Sequence, residues 1–269
     1  MNITKLKEIL KKYNLAPNKK LGQSFLIDNN IVDKVIKTAD ISEQDTILEI
    51  GTGLGTLTKE LAKKAKKVIT IEKDKGIIEI LKKILKDYEN IEIIHGDILK
   101  TTKLDIKDYK IVSNLPYYIT SPVIRMFLES DNQPQEMILI IQKEVAQRIC
   151  AKQTRMNLLA ISVQFYSQPK IIHYISKNCF WPRPKVDSAI IRISNIKKPE
   201  TDPKKFFKLV KAGFSSPRKQ LANNLEKLGI SREEIKNTLT QCDLSHQARA
   251  ENLSIEDWKF IAENLPYGK

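Results

Sequence analysis

The residues that most often staple a fold or hold a metal are scarce in this chain. Cys150, Cys179 and Cys242 are its three cysteines, and His95, His173 and His246 its three histidines, in 269 residues. Cysteines that are odd in number and far apart form neither a disulfide framework nor a CxxC knuckle; thiols in a reducing cytosol are expected. The histidines share no metal-ligand spacing, so no metal is assigned. No apolar run approaches the ~18 residues a membrane helix needs. The N-terminal MNITKLKEILKKYN lacks both an apolar core and a small-residue cleavage site. It reads as an amphipathic helix rather than a signal peptide, and a cytoplasmic location follows as the expectation. Fixed-period repeats and low-complexity tracts are missing too. Acidic residues are the minority charge, 32 against 46 Lys plus Arg, for a formal net charge of +14. At 41% hydrophobic residues the chain can fill a core, which excludes disorder. The positive excess favours a polyanionic partner, without separating nucleic acid from an acidic membrane surface.

Helical spacing of Ile3, Leu6, Ile9, Leu10 and Tyr13 predicts a short first helix, and Asp28 is a good N-cap for a second. The pattern then alternates. Thr46–Ile50, Val68–Glu72, Ile91–Ile94, Ile111–Ser113 and Met137–Gln142 read as short strands, apolar on both faces as covered parallel strands are. Helical stretches lie between them: Thr56–Ala65, Lys75–Leu85 and Pro122–Leu128, with Pro122 suited to a first helical position. Two helical runs follow, Lys143–Ala151 and Asn157–Ser167. Two late strands, Ile171–Ser176 and Val186–Ser194, flank Phe180-Trp181-Pro182-Arg183-Pro184 and suggest a hairpin at a sheet edge. The expected architecture is therefore a doubly wound α/β sheet of seven strands. Around Lys197–Pro203 the chain turns polar and proline-bearing, predicting a boundary between residues 1–197 and 198–269. The remainder reads as all-helical: Lys204–Ala212, Pro217–Leu228, Arg232–Thr240 and Ile255–Asn264.

Glu49-Ile50-Gly51-Thr52-Gly53-Leu54-Gly55 ends a predicted strand and opens a predicted helix. Glycines there let backbone approach a ligand where a side chain would clash. The loop lacks the Gly-Lys-Ser/Thr of a phosphate loop, and Gly55 falls one place early for the dinucleotide fingerprint. A GxGxG loop after a strand ending in an acid suits S-adenosylmethionine, which has no phosphate to cradle. Glu49 or neighbouring backbone could meet its cationic amino-acid end. Glu72 closes the second strand 21 residues after Gly51, where a carboxylate can accept both ribose hydroxyl protons. Asp97, with Ile98 beside it, closes the third strand and could accept from the adenine amino group. Each piece alone is commonly a turn, a cap or an ion pair; three consecutive strand ends carrying the expected group are a stronger signal.

The fourth strand runs into Asn114-Leu115-Pro116-Tyr117. Asn-x-Pro is a frequent turn signal. At a strand's carboxyl end, beside the glycine loop, it also suits methyl transfer to an exocyclic base amine. Such a nitrogen is a poor nucleophile because its lone pair is delocalised into the ring. Two acceptors at its protons, the Asn114 side-chain oxygen and the Leu115 carbonyl held rigid by Pro116, pull it toward tetrahedral geometry. Tyr117 offers a ring face on which the base can stack.

These residues bring the chain to a resemblance. It looks like a KsgA-type (RsmA) dimethyladenosine transferase over nearly its whole length. The resemblance rests on Lys20-Leu21-Gly22-Gln23-Ser24-Phe25-Leu26-Ile27-Asp28, the glycine loop, Asn114–Tyr117 and Gln142-Lys143-Glu144-Val145. It continues through Phe180–Ser188 and Arg249–Ser254. It implies a Rossmann-like class I S-adenosylmethionine-dependent methyltransferase fold, a mostly parallel seven-stranded sheet with a small helical C-terminal domain. It further implies transfer of two methyl groups to N6 of each of two adjacent adenosines near the 3′ end of 16S rRNA, late in small-subunit assembly. Carried over by position, Leu26, Gly51, Glu72, Asp97 and Asn114 contact S-adenosylmethionine. Ser24 stands where the family usually has Asn or His, and its reach is shorter. Phe180 would stack on the target adenine opposite Tyr117.

Pro203–Leu225 holds six basic residues and no acid: Lys204, Lys205, Lys208, Lys211, Arg218 and Lys219. Residues 1–23 add a net +5. With an RNA substrate these groups read as a clamp on phosphates. Three other readings compete. One is a macrolide-resistance-type methyltransferase of large-subunit rRNA, which shares most motifs. Another is a DNA adenine methyltransferase, which would carry a larger region for reading duplex sequence. The last is an rRNA-binding assembly factor with little catalytic role. Gly213–Gln220 and Arg249–Ser254 favour the small-subunit group. A monomer is expected, since no exposed apolar stripe stands out.

Overall fold

The computed structural model describes residues 3–18, 21–101 and 104–266. Lys20 of the motif above, and Lys19 of the basic N-terminal stretch, lie outside them. In chain order the elements are α1 (Ile3–Lys12), β1 (Phe25–Leu26), α2 (Asn29–Ala39), β2 (Thr46–Ile50), α3 (Thr56–Ala62) and β3 (Lys67–Glu72). Then come α4 (Lys75–Ile84), β4 (Ile91–His95), β5 (Tyr109–Asn114), α5 (Thr120–Glu129), β6 (Met137–Gln142), α6 (Lys143–Ile149) and α7 (Leu158–Gln164). The chain continues with β7 (Gln168–Ile175), β8 (Phe180–Trp181), β9 (Ser188–Ser194), α8 (Pro203–Gly213), α9 (Leu221–Leu225), α10 (Arg232–Gln241) and α11 (Ile255–Asn264).

Seven strands form one sheet in the order β4-β3-β2-β5-β6-β9-β7. β4 through β6 are parallel, and β9 and β7 add to the edge antiparallel, as the late hairpin requires. The apolar runs explain the layering. Ile138 to Ile141 are wholly buried, so β6 is covered on both faces. On one face Val32, Val35, Leu57 and Leu61 from α2 and α3 pack on Ile47, Val68, Val112 and Ile138. Asp28 caps α2 by accepting from the Asn30 N–H at 2.9 Å.

The structure corrects several expectations. β4 sits at the sheet edge and is only half-buried, rather than covered on both faces. α5 begins at Thr120 after a 3₁₀ turn, so Pro122 is its third residue, a first-turn position where its missing N–H costs no helical bond. The helix placed from Pro217 starts at Leu221 and gives way to a 3₁₀ turn at Glu226. Gly229, with φ +80°, ends that turn. Where it is described, the N-terminal basic stretch holds the expected first helix. Leu6 and Leu10 of α1 are buried with Phe25, Leu54 and Leu81, and the Lys7 ammonium lies 5.6 Å from the Trp181 ring centroid.

Two compact units emerge, Met1–Ala146 with Gln168–Ile196, and Gln147–Ser167 with Lys197–Lys269. The single cut expected after residue 197 thus misses one segment. Residues 147–167 group with the C-terminal helices because Phe165 stacks on Phe206, their ring centroids 3.9 Å apart, and the Met156 N–H bonds the Glu251 carbonyl at 3.2 Å. Within that second unit Trp258 is fully buried and stacks on Phe214. A Cβ at Gly213 would press into the Trp258 ring and lie 2.9 Å from Leu221 Cδ1. Both neighbours are fully buried. Gly213→Ala is expected to destabilise this unit by about 1–3 kcal/mol, read as faster hydrogen exchange in the α8 and α11 amides.

Candidate active site

The β2–β3 ladder runs to Ile50 and Ile71, but the β2–β5 ladder stops at Leu48 and Ile111. β2 and β5 therefore part at their carboxyl ends, bridged by the Ser113 hydroxyl donating to the Ile50 carbonyl at 2.5 Å. This is the point where strand order reverses, and open α/β sheets bind ligands there. A cleft of about 850 Å³, solvent space included, opens at this place. Ser24, Leu26, Glu49, Gly51, Gly53, Glu72, Asn114, Leu115, Pro116, Tyr117 and Phe180 all line it. Of the expected site residues in this unit, Gly55, Asp97 and Ile98 are outside its lining.

Gly51 and Gly53 have φ of +75° and +55°, a region that side-chain-bearing residues rarely adopt. A Cβ on Gly51 would come within 3.2 Å of Pro116 Cδ, and one on Gly53 within 3.1 Å of Phe25 Cδ1. The loop is thus kept bare where it faces the cleft. Gly55 instead faces Leu81 and Leu85, serving the contact between α3 and α4.

The carboxylates differ in environment. Glu72 is 7% exposed and accepts from three backbone N–H groups, those of Gly53 (3.2 Å), Lys73 (2.8 Å) and Asp74 (2.9 Å). Burial pushes its pKa up against those bonds. Oε1 takes two of these bonds and Oε2 one, so the remaining lone-pair capacity lies mainly on Oε2, at the cleft lining. Glu49 is 2% exposed, and the Thr58 hydroxyl donates to it at 2.6 Å. Burial, aided by the charge of Glu72, raises its pKa to about 8 although the Thr58 bond opposes this. Asp97 is shallower. It caps the 3₁₀ turn beginning at Ile98 and pairs with Lys73 at 2.9 Å, and that lysine holds its pKa below the usual carboxylate range. Ile98 is buried beneath it.

Glu49 gives a signed pH dependence. Its folded pKa of about 8 stands above the ordinary value of 4.5, so the folded state binds the extra proton between them. Its contribution is full below the ordinary value and is lost as pH rises to about 8. Cofactor-free protein is expected to lose stability on the order of a few kcal/mol across that window. Glu49→Gln should flatten the profile in chemical denaturation, leaving the smaller slope in the same direction that Glu72 supplies.

On the other wall, Asn114 Nδ2 approaches the Ser24 carbonyl at 3.4 Å. Among the described residues no donor reaches Asn114 Oδ1 or the Leu115 carbonyl, so both acceptors remain available. Leu115 N–H bonds the Ile140 carbonyl at 3.1 Å, fixing the loop to β6. The Tyr117 hydroxyl meets Ser188 Oγ at 2.8 Å, and burial raises its pKa. Phe180 is 3% exposed and pairs with Leu26 in the short β1–β8 ribbon, so it belongs to both cleft wall and core. Ser24 turns its hydroxyl away, donating to the Pro182 carbonyl at 2.8 Å. Tyr118, half exposed, and Lys73 complete the rim.

Sequence reasoning assigned no role to Gln23, Lys73 or Tyr118. Gln23 sits inside a quoted motif, and that placement was its sole signal: its bond to Asp74 crosses 51 positions of sequence. Among the described residues, no group of three or more His, Cys, Asp and Glu side chains comes together as a metal site, and no helix is long and apolar enough to cross a membrane.

The sheet order, the bare glycine loop and the acids at successive strand ends define a class I S-adenosylmethionine-dependent methyltransferase fold. The solved structure of the 23S rRNA methyltransferase ErmE matches with a TM-score of 0.77 at 25% identity, covering 90% of this chain and 99% of that one. A dimethyladenosine transferase from Plasmodium falciparum matches with a TM-score of 0.74 at 30% identity, covering 89% and 96%. In sequence, the ribosomal RNA small subunit methyltransferase A of Dehalococcoides mccartyi (strain CBDB1) is 44% identical over 264 residues, 94% of this chain and 90% of the relative. The protein of the same name from Clostridium botulinum (strain Loch Maree) is 42% identical over 266 residues, 96% and 97% of the two chains. The family model for ribosomal RNA adenine dimethylases matches residues 14–266, and the chain belongs to that family.

Proposed function

We propose that this protein dimethylates N6 of two adjacent adenosines near the 3′ end of 16S rRNA, within the small ribosomal subunit or its precursor, acting as a monomer in the cytoplasm. The observation that carries the chemistry is the pair of unused acceptors, Asn114 Oδ1 and the Leu115 carbonyl, beside the bare glycine loop. The names of the sequence relatives supply the ribosomal subunit.

The residues present fit S-adenosylmethionine. Gly51 and Gly53 leave space that a Cβ would fill, Glu72 holds acceptor capacity for vicinal hydroxyls, and Glu49 can gain charge beside an ammonium group. Leu26, Asp97, Ile98, Asn114 and the backbone around Gly55 complete the proposed contacts; Ser24 contributes its backbone position more than its engaged hydroxyl. When bound, that group supplies an electrophilic methyl on a sulfonium. Asn114 and Leu115 accept the two amine protons of the target, freeing the nitrogen lone pair for in-line attack. One proton then leaves past Asn114 Oδ1 to solvent. Pro116 keeps the Leu115 carbonyl in place, while Tyr117 and Phe180 hold the base between ring faces. Positioning and electrostatics carry the rate, with no side-chain nucleophile. The target base must leave its stack, which is cheaper in an RNA loop or end than in a duplex.

On α8, Lys204, Lys208 and Lys211 are exposed along one helix face with Lys205 partly buried beside them, and Arg218 and Lys219 are exposed in the turn that follows. They are proposed to contact phosphates. Arg218→Glu with Lys219→Glu is expected to weaken small-subunit binding roughly tenfold or more at moderate salt, leaving S-adenosylmethionine affinity unchanged. Filter binding and calorimetry read the two arms.

The test of the function is direct. The protein is incubated with labelled S-adenosylmethionine and, in turn, unmethylated small subunits, large subunits and duplex DNA, and the product nucleoside is mapped. Dimethyladenosine in small-subunit RNA alone is the expected result. Label mainly in large-subunit RNA, the substrate named for ErmE, would overturn the assignment. Particle binding without methyl transfer would support an assembly factor.

A further inference from the structure

The stretch Leu21–Leu26 lines the cleft, and it is tied down on two sides. One side belongs to the Phe180 loop. Ser24 Oγ donates to the Pro182 carbonyl at 2.8 Å, Ile27 N–H to the Cys179 carbonyl at 2.9 Å, and β1 pairs with β8. The other side depends on one side chain. Gln23 Nε2 donates to Asp74 Oδ2 at 2.8 Å, while its Oε1 accepts the Asn18 N–H at 2.7 Å. That second bond fixes which end of the amide faces Asp74. Asp74 is itself committed. Its Oδ1 caps α4 through Gly76 (2.9 Å) and Ile77 (3.3 Å), and its backbone N–H donates to Glu72 Oε1 at 2.9 Å. A continuous chain therefore runs from the segment over the cleft, through Gln23 and Asp74, to the carboxylate at its floor.

We propose that Gln23 and Asp74 are positioning residues for the methyl donor: their side-chain bond latches residues 21–26 across the cleft and ties that closure to the orientation of Glu72. The proposal rests on the S-adenosylmethionine reading of the cleft and adds two residues that need not touch the ligand. The bond has a charged acceptor and is partly sheltered, where such bonds are strong. Breaking it leaves the glycine loop and the Asn114 loop in place. It frees one end of the segment over them, so the loss falls on ligand residence. Tyr118 lies beside the same segment, its ring 3.5 Å from where a Cβ on Gly22 would stand.

The polarity of the bond supplies the test. Gln23→Glu places a carboxylate oxygen against Asp74, because the Asn18 N–H still holds the other oxygen. Asp74→Asn alone sets an amide donor against an amide donor, or turns the cap away. The double variant Gln23→Glu with Asp74→Asn restores a donor–acceptor pair with its direction reversed. Equilibrium binding and stopped-flow dissociation of S-adenosylmethionine are measured for wild type, both single variants and the double. Amide exchange over residues 21–26 is followed in the cofactor-free proteins. Each single variant should weaken binding about tenfold, mainly through faster dissociation, with faster exchange over that segment. The double should return to within about threefold of wild type. Single variants that bind as wild type does, or a double no better than Gln23→Glu, would overturn the latch. Wild-type protein that does not bind S-adenosylmethionine would overturn the cofactor reading and the latch with it.

Discussion

Asn114→Ala is expected to lower kcat for adenosine methylation by about 10³-fold while S-adenosylmethionine binding weakens far less. The size follows from what the side chain supplies. The exocyclic nitrogen attacks only when its lone pair leaves conjugation with the ring, and that needs acceptors at both of its protons. Asn114 Oδ1, which no donor among the described residues reaches, is one of the two, and alanine removes it. The Leu115 carbonyl survives because the Ile140 bond and Pro116 hold the backbone whatever the side chain at 114. Removing one preorganised dipole from a site of this kind costs two to three powers of ten. Asn114→Asp is a sharper companion, since it keeps an acceptor and the shape but places a charge beside the electrophile's neighbourhood. It should retain more activity than alanine on a target that still carries both amine protons. Single-turnover rates at saturating cofactor, set against calorimetric affinity, separate chemistry from binding. An Asn114→Ala protein with full single-turnover rate would mean that the acceptors lie elsewhere.

The sheet was legible because its strands announce themselves twice. Runs such as Met137–Gln142 are apolar on both faces, and the chemistry-bearing residues sit at or just past the carboxyl ends, at Gly51, Glu72 and Asn114. Such signals are local, and the parallel order follows from the helices between them. What was missed depends on contacts distant in sequence. β1 and β8 are two residues each, too short for any period, and exist because they pair with one another. The displaced start of α9 reflects Leu221 N–H bonding the Ala248 carbonyl at 2.8 Å, a tie no propensity at Pro217 encodes. Residues 147–167 read as a continuation of the sheet domain until Phe165 is seen against Phe206. In the site, the identity of the acids was readable but their states were not. Burial and a neighbouring charge put Glu49 at about 8, whereas Asp97, equally prominent in sequence, is shallow and paired with Lys73.

Glu72→Ala is expected to weaken S-adenosylmethionine binding by at least about 100-fold, the larger of the cofactor-side effects. Two losses combine. A carboxylate meeting two vicinal ribose hydroxyls makes two charge-assisted bonds, each worth about 1.5–3 kcal/mol to a buried charged acceptor. The same carboxylate also gathers the N–H groups of Gly53, Lys73 and Asp74, so alanine unties the glycine loop from the β3 end as well. Glu72→Gln divides the two. Its single amide oxygen can keep part of the backbone cradle and one hydroxyl, but its NH₂ points a donor at groups that need an acceptor. An intermediate loss of about tenfold is expected there. The analogue S-adenosylhomocysteine, which keeps the ribose and lacks the sulfonium charge, should lose as much from Glu72→Ala as the donor does. The Glu49→Gln variant should instead discriminate by amino-acid end, weakening both ligands yet sparing adenosine. Calorimetry with these three ligands therefore maps each acid onto one end of the cleft, and a Glu72→Ala protein that binds adenosine as wild type does would place the ribose elsewhere.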